Sequence, residues 1–313
     1  MIVKIDRYFL KGDDKQLDAK VLELYEIIDY GHYLYVEDEV LDDFVGIIEN
    51  HAIDSQCRLV CEAIERFDKE KNLRSYLTTI NFSGYSKKQR KVLLLTESEL
   101  LVENAPNEWC IYKNLVSFYT KDPTIKNVAL YLNRAINERM LKSENLGGVN
   151  GIPSMLEHKN KHEFDDLYRM KVCVLFDRDQ ENGTDIDRRK IHVFEALCNG
   201  IEFEKVNNEI VYRLDFGENY VWHMWYKRAI ENYFPREKYE KLGVDMDSFN
   251  DTLPYDYKKF GDKIPSGYKK DMMRYISDCM SYNDFEYNTE HFDINGRNLS
   301  EIQLLLLKIA KIV

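Results

Sequence analysis

The fold class predicted from the sequence is α/β: a mainly parallel sheet flanked by helices, with helical amino-terminal and carboxy-terminal parts. Three observations predict it. Short apolar runs of strand length, Leu100–Val102 and Lys171–Phe176, alternate with stretches of helical periodicity, Asn107–Tyr119 and Asn127–Leu141. Alternation of this kind favours parallel strands joined by crossover helices. The 313 residues are 44% hydrophobic and 32% charged, enough for a sizeable core and two or three structural units. Only 14 Gly and 6 Pro occur, which argues against a loop-rich or repetitive β architecture.

Residues 1–88 read as a helical region. Val21–Ile28 and Val40–Ile48 mix apolar and acidic residues at helical spacing. Asp54-Ser55 can cap a helix reaching about Lys71, with Leu59, Cys61, Ile64 and Phe67 facing inward. Ile80–Arg90, with Gly84 and the basic cluster from Lys87 to Lys91, reads as a link.

Residues 89–240 form the next expected unit. Val92–Leu95 and Leu100–Val102 have strand length, and Gly147-Gly148 breaks the helical pattern that precedes it. Lys171–Phe176 is the clearest buried strand, and Arg189–Cys198 reads as a helix. Lys205–Asp215 alternates like a strand or hairpin around Asn207-Asn208, and Tyr220–Tyr226 is strand-like. Residues 241–313 look helical again. The last stretch, Leu299–Val313, is apolar nearly all round and must be buried in this chain or against a partner.

The net charge is −11. A dedicated double-helix binder carries a basic face, because phosphate neutralisation supplies most nonspecific affinity. The acidic balance counts less against a metal-dependent nuclease, where clustered carboxylates await cations. The six cysteines form no C-x-x-C pair and read as buried thiols of a reducing cytoplasm. Met1–Asp6 lacks the apolar core of a secretory leader, and no stretch approaches the ~18 apolar residues of a membrane span. A cytoplasmic location with no membrane partner is therefore expected.

Two expected strands end in acid: Leu100–Val102 runs into Glu103, and Lys171–Phe176 runs into Asp177-Arg178-Asp179. Ligands of α/β sheets gather beyond the carboxyl ends of the strands. If the strand continues, Asp177 and Asp179 point to one side. Hard oxygen donors at sheet tips suit Mg²⁺ or Mn²⁺. Alone, the pair is also found in phosphatases and glycosyltransferases, and it could merely cap the Asn182-Gly183-Thr184 turn. Glu97 and Glu99 compete with Glu103 for the strand-end position. His158 and His162, one helical turn apart, read as part of a solvated face, and His192 and His223 have no evident partners. No G-x-x-x-x-G-K-[ST] loop occurs, so ATP hydrolysis by this chain is not expected.

The order Glu103, Gly147-Gly148, Asp177-x-Asp179 resembles the Toprim domain of topoisomerases, primases and OLD-type nucleases. Glu103–Trp109 is similar to its opening motif, with Asn104 where Gly is common and Glu108 near a further family acid, offset by one. Gly147–Pro153 and Lys227–Pro235, with its Arg-x-Ile-Glu-Asn-Tyr segment, resemble small stand-alone Toprim nucleases of antiphage systems. The likeness covers about residues 91–240.

The resemblance implies a Mg²⁺- or Mn²⁺-dependent endonuclease. Glu103, Asp177, Asp179 and Glu231 would hold metal, and Arg228 or Lys227 would contact the scissile phosphate. It further implies an antiphage effector that cuts DNA or RNA under the control of a partner ATPase. A homodimer is left open. The rival expectation is a non-catalytic sensor or assembly subunit with a degenerate Toprim fold.

Overall fold

The computed structural model describes residues 1–159, 165–198, 208–217, 219–248, 253–260, 274–275 and 278–313. Within these residues the architecture is α/β, with two wholly parallel sheets and one small hairpin.

The amino-terminal region is not only helical. Ile2–Ile5 (β1), Tyr33–Val36 (β2) and Thr79–Asn81 (β3) form a parallel sheet in the order β2-β1-β3. Helix α1, Asp14–Asp29, makes the first crossover. Asp13 caps it: its carboxylate accepts from the Gln16 amide at 2.9 Å, and the Gln16 side chain reaches back to the Asp13 amide at 3.2 Å. Leu17, Val21, Leu24 and Ile28 bury one face of α1. Helices α2 (Leu41–His51) and α3 (Asp54–Lys69) complete the cover, with α3 packed on β2.

Val92–Leu95, expected as a strand, is the end of helix α4, Lys87–Leu95. Ser86 and Gln89 form a capping box at its start, and Leu93 and Leu94 are fully buried in the core of the first sheet. Burying two leucines is worth roughly 3–6 kcal/mol, which fixes the helix there. The basic cluster is split by the same helix. Arg90 turns inward to pair with Glu23 at 2.7 Å, while Lys87, Lys88 and Lys91 stay exposed.

The second sheet holds three expected strands and one unexpected. Ser98–Val102 (β4), Val172–Phe176 (β6) and Val221–Met224 (β7) stand where strands were expected, while Leu141–Asn145 (β5) is a strand where the helical stretch Asn127–Leu141 was expected to end. All four are parallel, in the order β5-β4-β6-β7. Helices α5 (Ala105–Tyr119) and α6 (Lys126–Asn137) connect β4 to β5. Part of Lys205–Asp215 lies outside the described residues. The described part contains a short helix, Asn208–Val211, rather than a strand. Its carbonyls are drawn inward, since Val211 O accepts from the buried Lys308 ammonium at 2.6 Å.

Residues 241–313 also depart from an all-helical reading. His291–Ile294 (β8) and Arg297–Ser300 (β9) form an antiparallel hairpin. Its turn, Asn295-Gly296, has positive φ at both residues (55° and 76°), the geometry that suits the right-handed twist of a hairpin. The carboxy-terminal helix, Glu301–Ile312, follows and is buried on all sides within this chain. It packs against β6, β7, α5 and α6. No described helix is long and apolar enough to cross a membrane.

Candidate metal centre

In the second sheet the chain runs from β4 outward to β5, then returns past β4 to β6. The switch point therefore lies between β4 and β6, where ligand crevices form in open parallel sheets. Glu103 follows β4 and Asp177 follows β6, so this point brings the two strand-end acids together. The Asp177 amide donates to Glu103 Oε1 at 3.1 Å.

The competing acids stand elsewhere. Glu97 precedes β4, at the far end of the strand, and pairs with Lys142 at 3.0 Å. Glu99 lies inside β4, bound to Lys159 and the Tyr168 hydroxyl. Glu103 is the strand-end residue.

Asp177 and Asp179 are not neighbours on an extended strand, as the D-x-D spacing suggests. β6 ends at Phe176, and Asp179 has a left-handed backbone, φ 61°. The cause is Arg178. Its guanidinium is fully buried and donates to Trp225 O, Asp185 O, Asn208 Oδ1 and the Tyr212 hydroxyl. That anchor turns the chain, yet both carboxylates still line one cleft of about 170 Å³. Neither caps the following turn, because Asn182 Oδ1 itself accepts from the amides of Thr184 and Asp185.

The segment after β7 closes the cleft. The Ile230 amide donates to Asp177 Oδ1 at 3.2 Å, and the Asp179 amide donates to Arg228 O at 2.9 Å. Arg228, Glu231 and Asn232 line the cleft with Lys258, Lys259 and Phe260. Lys227 does not. It is buried, and its ammonium pairs with Asp256 at 2.7 Å, so of the two expected phosphate contacts Arg228 is the one on the cleft wall. Lys190, Lys258 and Lys259 are additional cations at the site. Lys190 is buried, pairs with Asp179 at 2.8 Å and also donates to the Asp177 carbonyl.

Electrostatics separate this cluster from ordinary surface acids. Burial raises Asp177 well above the usual carboxylate range, and the charges of Glu231, Glu103 and Glu108 raise it further. Burial also raises Glu103, against the stabilising amides of Asp177 and Val149. The Val149 amide follows Gly147 and Gly148, whose positive φ values of 66° and 114° turn the chain after β5. Glu108 is pushed up to about 7 by burial and by the charges of Glu103 and Glu231. It accepts from the Asn104 amide at 2.9 Å and the Tyr112 hydroxyl at 3.2 Å. Acids that raise one another in this way gain from a cation placed among them.

The donors are hard oxygens, which fit Mg²⁺ or Mn²⁺ by chemistry. Among the described residues no group of three or more His, Cys, Asp and Glu is gathered closely enough to hold a metal ion as the side chains stand. No described histidine lines the cleft. His223 is buried against Glu301 and Lys308 and is lowered to about 4, chiefly by burial. His192 is exposed, His158 ends the helix Gly151–Lys159, and His162 lies outside the described residues. Comparison with known protein families, characterised proteins and solved structures returned no match.

Proposed function

We propose that the chain is a metal-dependent nuclease of the Toprim type that hydrolyses phosphodiester bonds in DNA or RNA. The observation that carries this reading is the meeting of Glu103 and Asp177 at the β4/β6 switch point, with Glu231 and Asp179 on the same cleft. Glu103, Asp177, Asp179 and Glu231 would hold Mg²⁺ or Mn²⁺. The ion would supply charge neutralisation and acidify water for attack on phosphorus. Arg228, Lys258 and Lys259 line the same cleft and can grip a phosphate and balance charge as it develops. Glu108, near neutrality in its titration, can relay a proton at the buried side of the site.

The sequence resemblance extends the proposal to an antiphage effector in the cytoplasm, restrained by a partner ATPase. The test is cleavage of plasmid and of total RNA with Mg²⁺ or Mn²⁺, comparing wild type with Asp177→Ala and Glu103→Ala. Both variants are expected to lose cleavage. Robust metal-dependent cleavage that survives both substitutions would sink the assignment.

A further inference from the structure

Glu301 opens the carboxy-terminal helix and is fully buried. A buried carboxylate is costly unless donors surround it. Oε1 accepts from the Tyr226 amide at 2.7 Å and lies 3.1 Å from His223 Nε2, while Oε2 accepts from the Tyr233 hydroxyl. The same hydroxyl accepts from the Lys227 amide at 3.2 Å. Lys308, two turns along the helix, donates to Trp222 O at 3.0 Å and faces His223 Nδ1 at 3.4 Å. This order assigns the imidazole proton to Nε2, directed at Glu301.

Tyr226 and Tyr233 bracket one segment, so Glu301 ties both of its ends to the helix. Between them lie Arg228, whose carbonyl receives the Asp179 amide, the Ile230 amide that donates to Asp177, and Glu231 in the cleft wall. Glu301 itself is not part of that wall. We infer that Glu301 is a positioning residue: it sets segment 226–233 so that Glu231 and the Ile230 amide meet Asp177 and Asp179. The consequence for cleavage rests on the nuclease reading; the clamp itself does not.

The test compares wild type, Glu301→Gln and Tyr233→Phe in the full chain, by hydrogen exchange and by cleavage kinetics. Glu301→Gln keeps the volume but removes an anion that receives several donors. Amides of residues 226–230 are expected to exchange roughly tenfold faster or more, while β6 stays as protected as in wild type. kcat is expected to fall by about tenfold or more with KM nearly unchanged, the pattern of a displaced group rather than a lost substrate contact. Tyr233→Phe deletes one hydroxyl, keeps the fold testable if Glu301→Gln does not fold, and should loosen the same amides by less. Unchanged exchange at 226–233, or acceleration spread evenly through β6 and β7, would overturn the inference. If the amides respond as expected but the wild type neither cleaves nor binds Mn²⁺, the clamp stands and the nuclease reading falls.

Discussion

The two parallel sheets of this chain each place an acid at a strand end, and they treat it in opposite ways. Asp6 follows β1. Burial raises it, but hydrogen bonds from the Asn81 and Ser83 side chains and the Tyr8 amide win, and its titration falls below the usual value. Asp177 and Glu103 follow β6 and β4. They receive amides too, yet burial and neighbouring carboxylates push both upward. Strand-end position alone therefore does not mark a site. An acid whose lone pairs are filled by donors holds structure together, whereas acids crowded against one another store repulsion that a cation can relieve.

The contrast can be broken most directly by exchanging roles. Asp177→Ala should lower metal-dependent cleavage by about a thousandfold or more, while Asp6→Asn should leave it within about twofold; plasmid and RNA cleavage assays compare them. The next effect is electrostatic. With a chelator present, Glu108 titrates near 7 in the folded chain against an ordinary 4.5. The native state then binds more protons over that window, so stability falls as pH rises from about 4.5 through about 7. Glu108→Gln should flatten this slope and gain up to about 3 kcal/mol at pH 8 but little at pH 4.5, as read from urea melts.

Arg228→Ala should cost cleavage roughly ten- to a hundredfold. Lys227→Ala, which breaks the Asp256 pair instead, should cost mainly stability; kinetics set beside melting curves separate the two. The smallest effect belongs to the first sheet. Asp6→Asn should destabilise by about 1–2 kcal/mol at neutral pH. The Asp6 contribution is present above the unfolded value and lost as pH falls through the lower folded one, so the difference from wild type should shrink in acid.

Three strands of the second sheet were legible because they are short and apolar, whereas the polar β5, Leu141–Asn145, was not. Val172–Phe176, Ser98–Val102 and the acids after them stand where the pattern puts them. Val92–Leu95 misled because four apolar residues fit a strand and a helix end equally well. The Ser86-x-x-Gln89 capping box was the signal that distinguishes them. Asn295-Gly296 was an equally readable hairpin turn inside a stretch taken as helical.

Other features were not legible from one sequence. Lys190 sits in an Arg-Arg-Lys run that looks solvated, and only tertiary packing buries it against Asp179. Lys258 and Lys259 reach the cleft from far along the chain. Lys227 and Arg228 are adjacent and alike in type, and what separates them is Asp256, a partner nearly thirty residues away.

The carboxy-terminal helix imposes an order in time. Glu301 is made 75 residues after Tyr226, whose amide it holds. At about 5–20 residues per second, that is roughly 4–15 s of synthesis during which every strand of the second sheet exists and its clamp does not. A chain interrupted between Glu231 and Glu301 would carry all four carboxylates without the part that sets them. The arrangement of the cleft would be completed by the first turn of the last helix rather than by the strands that bear the acids.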